Sequence, residues 1–211
     1  MLVLASASPR RQELLRNAGI HCTVESADID ETPIAGEFPQ QCAERLAREK
    51  ALKISQREPR NFILGADTIV VVDDMILGKP LDADDAVRML TLLSGRTHTV
   101  ITGVCLIGPC AKRSQSTPTS ENREVRISSA STLVTMCELS DEEIRAYVAS
   151  GEPMDKAGAY GIQGLASRWI PRIEGDYSNV VGLPVARVYE MLKELGLLNV
   201  SWLHEGRADL R

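Results

Sequence analysis

Residues 61–80, NFILGADTIVVVDDMILGKP, place the tightest constraint on the fold. They read as two β-rich runs with GADT set inside them and an Asp-Asp pair at a hairpin turn. Asp67 therefore stands between the apolar runs FIL and IVVV. A carboxylate is unfavourable to bury unless charged or polar partners satisfy it. Either Asp67 marks a plain turn at a strand end, or it sits in a sheet with a polar site built around it. In the second case it is a candidate to bind a divalent cation, to orient a water as general base, or to do both.

The segments around this run alternate between strand and helix patterns. LVLA at the start reads as a short buried strand, followed by a helix from about Pro9 to Asn17 that stops at Gly19. HCTVESADI suggests a second strand, and DETPIAGEFP a polar loop. QQCAERLAREKALKIS has helical spacing, with Ala43, Leu46, Ala47, Ala51 and Ile54 on one side and Lys50 in the same stripe. A helix capped near Asp82 and ended by Gly95, a strand over THTVITGVCLIG, and a strand from Ile127 to Glu138 follow. Ser140 and Glu143 have capping-box spacing at the start of the next helix. PMDKAGAYGIQG reads as irregular, a short strand is expected around Trp169 to Ile173, and VARVYEMLKELG as the last helix. This mixture without an internal repeat predicts an α/β class. The expected organisation is a single domain over residues 1–198, with a polar excursion over 109–126 and a polar tail over 199–211.

The 24 basic and 29 acidic residues leave a net charge of -5, which argues against general nucleic-acid coating or attachment to an anionic membrane. Any anion must be bound by a local cluster. The five cysteines include no C-x-x-C pair, so neither a zinc site nor a disulfide framework is indicated. No apolar run approaches the ~18 residues of a membrane span, and no signal-like segment is evident. A soluble cytoplasmic protein is the expectation.

The first helix raises a question of charge. The later helix starts, DADD and SDEE, carry carboxylates, as the helix dipole prefers, whereas Ser8-Pro9 is followed by Arg10 and Arg11. Either the two arginines are a tolerated surface pair, or they and the free N–H groups of the first turn form an anion site. Lys50 on its apolar stripe is either a snorkelling side chain or a second cation of that site. Lys79, in the turn LGKP, is by itself an ordinary surface lysine. MDKAGAYGIQG supplies Asp155, Lys156, Gln163 and three glycines. Such a loop is most simply a turn, yet glycines admit a flat or anionic ligand and an amide can read a base edge. His21, His98 and His204 stand far apart, and neither a G-x-x-x-x-G-K-[ST] loop nor a G-x-G-x-x-G after a strand occurs.

LASASPRRQELL, ERLAREKA, LGADTIVV, LGKP, LSGRTHTVITGV, SGEPMDKAGAYGIQG and NVVGLP occur in this order. In that series the chain resembles the Maf-like nucleotide pyrophosphatases from its first residues to its last helix. The excursion over 109–126 is longer than the family pattern. The resemblance implies a mixed, curved sheet in two lobes around a deep cleft, and a cytoplasmic, often dimeric enzyme. Such enzymes hydrolyse nucleoside triphosphates to monophosphate and pyrophosphate with a divalent metal, Mg2+ or Mn2+. It makes Asp67 the proton acceptor and Arg10, Thr68 and Gln163 the positions that separate substrate branches. Here these match the branch acting on dTTP and UTP rather than the one acting on 7-methyl-GTP. A neutral amide at Gln163 can donate to and accept from the O4/N3–H edge of uracil or thymine. Within that reading Ser8, Arg11, Lys50, Lys79 and Lys156 are expected phosphate ligands, and Asp67 with Glu31 the metal ligands. Two other readings are a nucleotide-sensing regulator of septum formation with little turnover, and a triphosphatase of the inosine type.

Overall fold

The computed structural model describes residues 1–110 and 123–198. In it the chain builds a mixed seven-stranded sheet flanked by helices. Strand β1 (Leu2–Ala5) runs into helix α1 (Pro9–Asn17), and β2 (Thr23–Val24) returns parallel to β1. Helix α2 (Pro39–Arg57) leads to β3 (Phe62–Val72), then β4 (Met75–Leu77) and α3 (Ala83–Leu93). The long strands β5 (Thr97–Ile107) and β6 (Val125–Thr135) precede α4 (Asp141–Ala149). Three 3-10 turns, Glu152–Asp155, Ala157–Ala159 and Leu165–Trp169, lead to β7 (Arg172–Glu174), α5 (Tyr177–Val181) and α6 (Val185–Glu194). The strand order is β2-β1-β3-β5-β6-β7, with β4 paired to β3.

Local chemistry accounts for the main boundaries. Asp73 and Asp74 both adopt positive φ, 47° and 62°, the conformation a two-residue hairpin needs and one that Asp tolerates better than most residues. Asp82 caps α3 by accepting from the Asp85 N–H, and Ser140 with Glu143 completes a capping box on α4.

The helices divide between the two faces of the sheet. Ala47, Ala51 and Ile54 of α2 pack on Val3, Ala5, Ile63, Cys105 and Ile107. Leu15 of α1 and Val188 and Leu192 of α6 cover Leu2, Leu4, Leu64 and Val104 on the other face. Two strand glycines let α2 lie directly on the sheet. A Cβ at Gly65 would stand 2.1 Å from the Ala47 carbonyl oxygen, and one at Gly103 would stand 2.3 Å from that of Ala43. Either methyl would push the helix off the strands.

Several sequence expectations change. The second strand contracts to Thr23–Val24. Trp169 ends a 3-10 turn, so the short strand begins only at Arg172. The β6 strand starts at Val125, inside the expected polar excursion, and stops at Thr135 rather than Glu138. Tyr177–Val181 is helical, started by Asp176 accepting from the Ser178 N–H; five residues are too few for periodicity to reveal. The rest of the excursion, 111–122, and the tail over 199–211 lie outside the described residues.

Candidate functional site

A break in strand pairing creates the site. On the edge of β3 opposite β5, β1 pairs with Phe62–Gly65 and β4 with Val70–Val72. Among the described residues, the stretch from Ala66 to Ile69 has no strand beside it there, because the chain leaves β1 at Ala5 and turns into α1. Asp67 and Thr68 thus sit just beyond the carboxyl end of β1, the position at which open α/β sheets form ligand crevices. Successive strand residues face opposite sides, so Asp67 points toward α2 and Thr68 toward α1 and α5. A cleft of about 740 Å³ opens over this gap. The ten predicted site residues, Ser8, Arg10, Arg11, Glu31, Lys50, Asp67, Thr68, Lys79, Lys156 and Gln163, all line it.

On the α2 side, close seating of the helix on Gly65 brings Lys50 over Asp67. Lys50 Nζ lies 2.5 Å from Asp67 Oδ1 and 2.6 Å from Glu31 Oε1, with Lys50 and Asp67 both buried. The stripe position of Lys50 is therefore no snorkelling site. Glu31 also accepts from Lys79 at 2.9 Å. Burial opposes ionisation of Glu31, yet its contacts with Lys50 and Lys79 prevail and pull its carboxyl down to about 2.

On the α1 side the two arginines separate. Arg10 Nη1 pairs with Asp155 Oδ2 at 2.9 Å, and Asp155 Oδ1 lies 2.6 Å from Lys156 Nζ. Arg11 is buried and is held by neutral oxygens: Nε donates to Gly182 O at 2.7 Å, Nη1 to Ser6 Oγ at 3.0 Å and Nη2 to Thr68 Oγ1 at 3.0 Å. Desolvation lowers its pKa, opposed by the nearby charges of Asp67 and Glu31. Ser8 occupies the N-cap position of α1, but its side chain makes no capping bond; its N–H donates to Ser6 Oγ. Gln163 is exposed on the cleft wall.

Behind Arg11 the Thr68 hydroxyl has two acceptors within reach, Thr102 Oγ1 at 2.9 Å and Gly182 O at 3.3 Å. Thr102 Oγ1 donates to Asn179 O at 3.1 Å and lies 2.9 Å from Thr68 Oγ1. With the Thr102 proton engaged by Asn179 O, the Thr68 proton goes to Thr102 Oγ1 or to Gly182 O, and Thr68 accepts from Arg11. Ser6, Thr68 and Gly182 thus form a cradle for one guanidinium, with Thr102 and the Asn179 carbonyl behind Thr68. Sequence reading did not single out Ser6, Thr102, Gly65 or Gly103. The glycines carried a signal, since glycine within a strand pattern marks close backbone approach; an alternating Thr in a strand carries none.

The donor chemistry suits a hard divalent cation. Glu31 and Asp67 both place a carboxylate oxygen on the Lys50 ammonium, which sets two hard oxygen donors side by side in the cleft. No group of three or more His, Cys, Asp and Glu side chains that could hold a metal occurs among the described residues. Such a cation would complete its shell with water and substrate oxygens, the usual arrangement of Mg2+ in nucleotide sites.

Among the described residues no helix is long and apolar enough to cross a membrane. The sequence profile of the Maf-like protein family matches residues 1–195. A dTTP/UTP pyrophosphatase of Koribacter versatilis is 55% identical over 197 residues, covering 93% of this chain and 95% of that one. Proteins of the same name from Syntrophomonas wolfei and Symbiobacterium thermophilum are 50% and 49% identical, covering 92% of this chain and 96% and 94% of their own. With the profile spanning the whole sheet and every element of the cleft, the chain belongs to the Maf-like protein family.

Proposed function

We propose that the chain hydrolyses dTTP and UTP to the monophosphate and pyrophosphate, by attack of water on the α-phosphate. The observation that carries this reading is the unpaired edge of β3, where the buried Arg11 guanidinium and the Asp67 carboxylate flank one cleft from opposite faces of the sheet. The names of the relatives point to the same substrates.

In this mechanism the phosphate chain lies along the N-terminus of α1, where N–H groups of the first turn lack intrahelical partners. Arg11 binds a phosphate oxygen through the guanidinium protons left over from its cradle, and Arg10, Lys50, Lys79 and Lys156 complete the charge stabilisation. Preorganised charge of this kind is usually the largest catalytic contribution. Asp67, with one oxygen fixed by Lys50, accepts the proton of the attacking water at its other oxygen. Glu31 and Asp67 would hold the divalent cation, Mg2+ or Mn2+, which when bound supplies Lewis-acid polarisation of phosphate oxygens. Arg10, Thr68 and Gln163 select the base, Gln163 from the cleft wall and Thr68 through its bond to Arg11. The reading includes a cytoplasmic setting and a homodimer as the expected assembly.

A panel of nucleoside triphosphates, with orthophosphate and pyrophosphate measured separately, tests the proposal. Turnover of dTTP and UTP with release of pyrophosphate is expected, and Asp67→Asn should lower kcat by about 10²–10⁴-fold. Orthophosphate as product would refute attack at the α-phosphate, near-normal turnover in Asp67→Asn would refute the general base, and tight binding without turnover would favour a regulator.

A further inference from the structure

We propose that Asp155 is an exchangeable counter-ion of the cleft, a specificity-determining residue that an incoming phosphate chain displaces from Arg10 and Lys156. The inference rests on the pyrophosphatase reading of the same cleft. Arg10 comes from the start of α1, and Asp155 and Lys156 from the Gly-rich segment on the facing wall, 145 residues from Arg10 to Asp155 along the chain. The Asp155 carboxylate bridges the two walls, with one oxygen 2.9 Å from Arg10 and the other 2.6 Å from Lys156. Arg10 also reaches the Asp155 carbonyl oxygen at 3.4 Å.

Glu31 makes the same kind of bridge on the other side, between Lys50 and Lys79. The two differ in their access to water. The Asp155 side chain is 62% exposed, whereas Glu31 is 39% and Asp67 is 10% exposed. Exposed ion pairs are weak, and an exposed carboxylate can turn into solvent without losing its hydration. Of these three paired carboxylates, Asp155 is therefore the one that leaves most readily. Its partners stay behind. Lys156 also donates to the Glu152 carbonyl at 2.5 Å, and its stem lies against Gly161, where a Cβ would stand 2.7 Å from Lys156 Cε.

The consequence is selection for multiply charged anions. A ligand displaces Asp155 only by satisfying Arg10 and Lys156 together, and a phosphate group can do so with two of its oxygens, as the carboxylate does, while bringing more negative charge. After cleavage, the returning carboxylate competes with bound pyrophosphate and favours its release.

Calorimetric titration of the metal-free protein with inorganic pyrophosphate measures this exchange without turnover. Asp155→Asn keeps the shape and removes the charge, and its Kd for pyrophosphate should fall about three- to tenfold below wild type, the range two exposed ion pairs would give. Adding Arg10→Ala to that variant should abolish the gain. An unchanged or weaker Kd in Asp155→Asn with an intact melting transition overturns the proposal. So does a loss of dTTP turnover that raised Mg2+ restores, which would mark Asp155 as a metal ligand. If Asp155→Asn does not fold, Asp155→Ser serves the same measurement. Wild-type protein that turns over no triphosphate breaks the functional reading, whereas normal wild-type turnover with an unaltered Kd in the variant breaks only the role of Asp155.

Discussion

Arg10 and Arg11 are neighbours on one helical turn, yet the protein holds them in opposite ways. Arg10 pairs with a carboxylate at the mouth of the cleft. Arg11 is buried, with three nitrogens bound to a carbonyl and two hydroxyls and no carboxylate among its hydrogen-bond partners. A cation paired with a carboxylate must exchange partners before it binds phosphate. One held by neutral oxygens keeps its full charge and a fixed direction. Lys50, Lys79 and Lys156 follow Arg10, each with an acidic partner. Arg11, and the buried Lys50 held by Asp67, are thus fixed charges of the cleft, whereas Arg10, Lys79 and Lys156 form an adjustable rim.

The most damaging test of this contrast exchanges each arginine for lysine. Lysine cannot reproduce a planar fork bound at three points, so Arg11→Lys should lower kcat/KM for dTTP by about 10²–10³-fold, as removal of one preorganised donor does elsewhere. Arg10→Lys should lose less than about tenfold, because an exposed ion pair contributes little. Equal losses would erase the distinction.

A smaller effect tests the cradle. Thr102→Val leaves the Thr68 hydroxyl without its nearer acceptor, and only the Gly182 oxygen, 3.3 Å away and already bonded to Arg11, remains for that proton. We expect kcat to fall about three- to tenfold with KM little altered, on the scale of one lost hydrogen bond, and Thr102→Ser to restore it. Wild-type kinetics in the valine variant would mean that Gly182 and Ser6 orient Arg11 alone.

The rim leaves the smallest signature, in acid stability. Glu31 has a folded pKa of about 2, below its ordinary value of 4.5. Its contribution is therefore present above about pH 4.5 and is lost as pH falls toward 2. In chemical denaturation, the margin of wild type over Glu31→Gln should shrink between pH 4.5 and 2. A margin independent of pH over that range would show that the Lys50 and Lys79 pairs do not stabilise the fold.

Legibility in the sequence followed the range of each interaction. The α3 and α4 starts were readable because a cap is settled within four residues, and the Asp73–Asp74 turn because a tight hairpin restricts φ locally. Tyr177–Val181 escaped because a five-residue helix has no period to detect. Lys50 stood out as a charge on an apolar stripe, and Asp67 as a charge in an apolar strand, but neither oddity named its partner. The arginines at the start of α1 were told apart only by the family resemblance, as branch marker and phosphate ligand, because nothing local separates them.

The linear order of residues determined the α/β class, the caps and turns, and the set of charges that must find partners, since each depends on side-chain period or on neighbours a few positions away. The tertiary structure alone decided that β1 stops short beside β3 and opens its edge. It also seated α2 on Gly65 and Gly103 so that Lys50 meets Asp67, and brought Gly182, 171 residues distant, to the Arg11 guanidinium. The physical reason is that burying a charge requires acceptors in three dimensions, and the acceptors for Arg11 come from β3, the loop after β1 and the turn after α5.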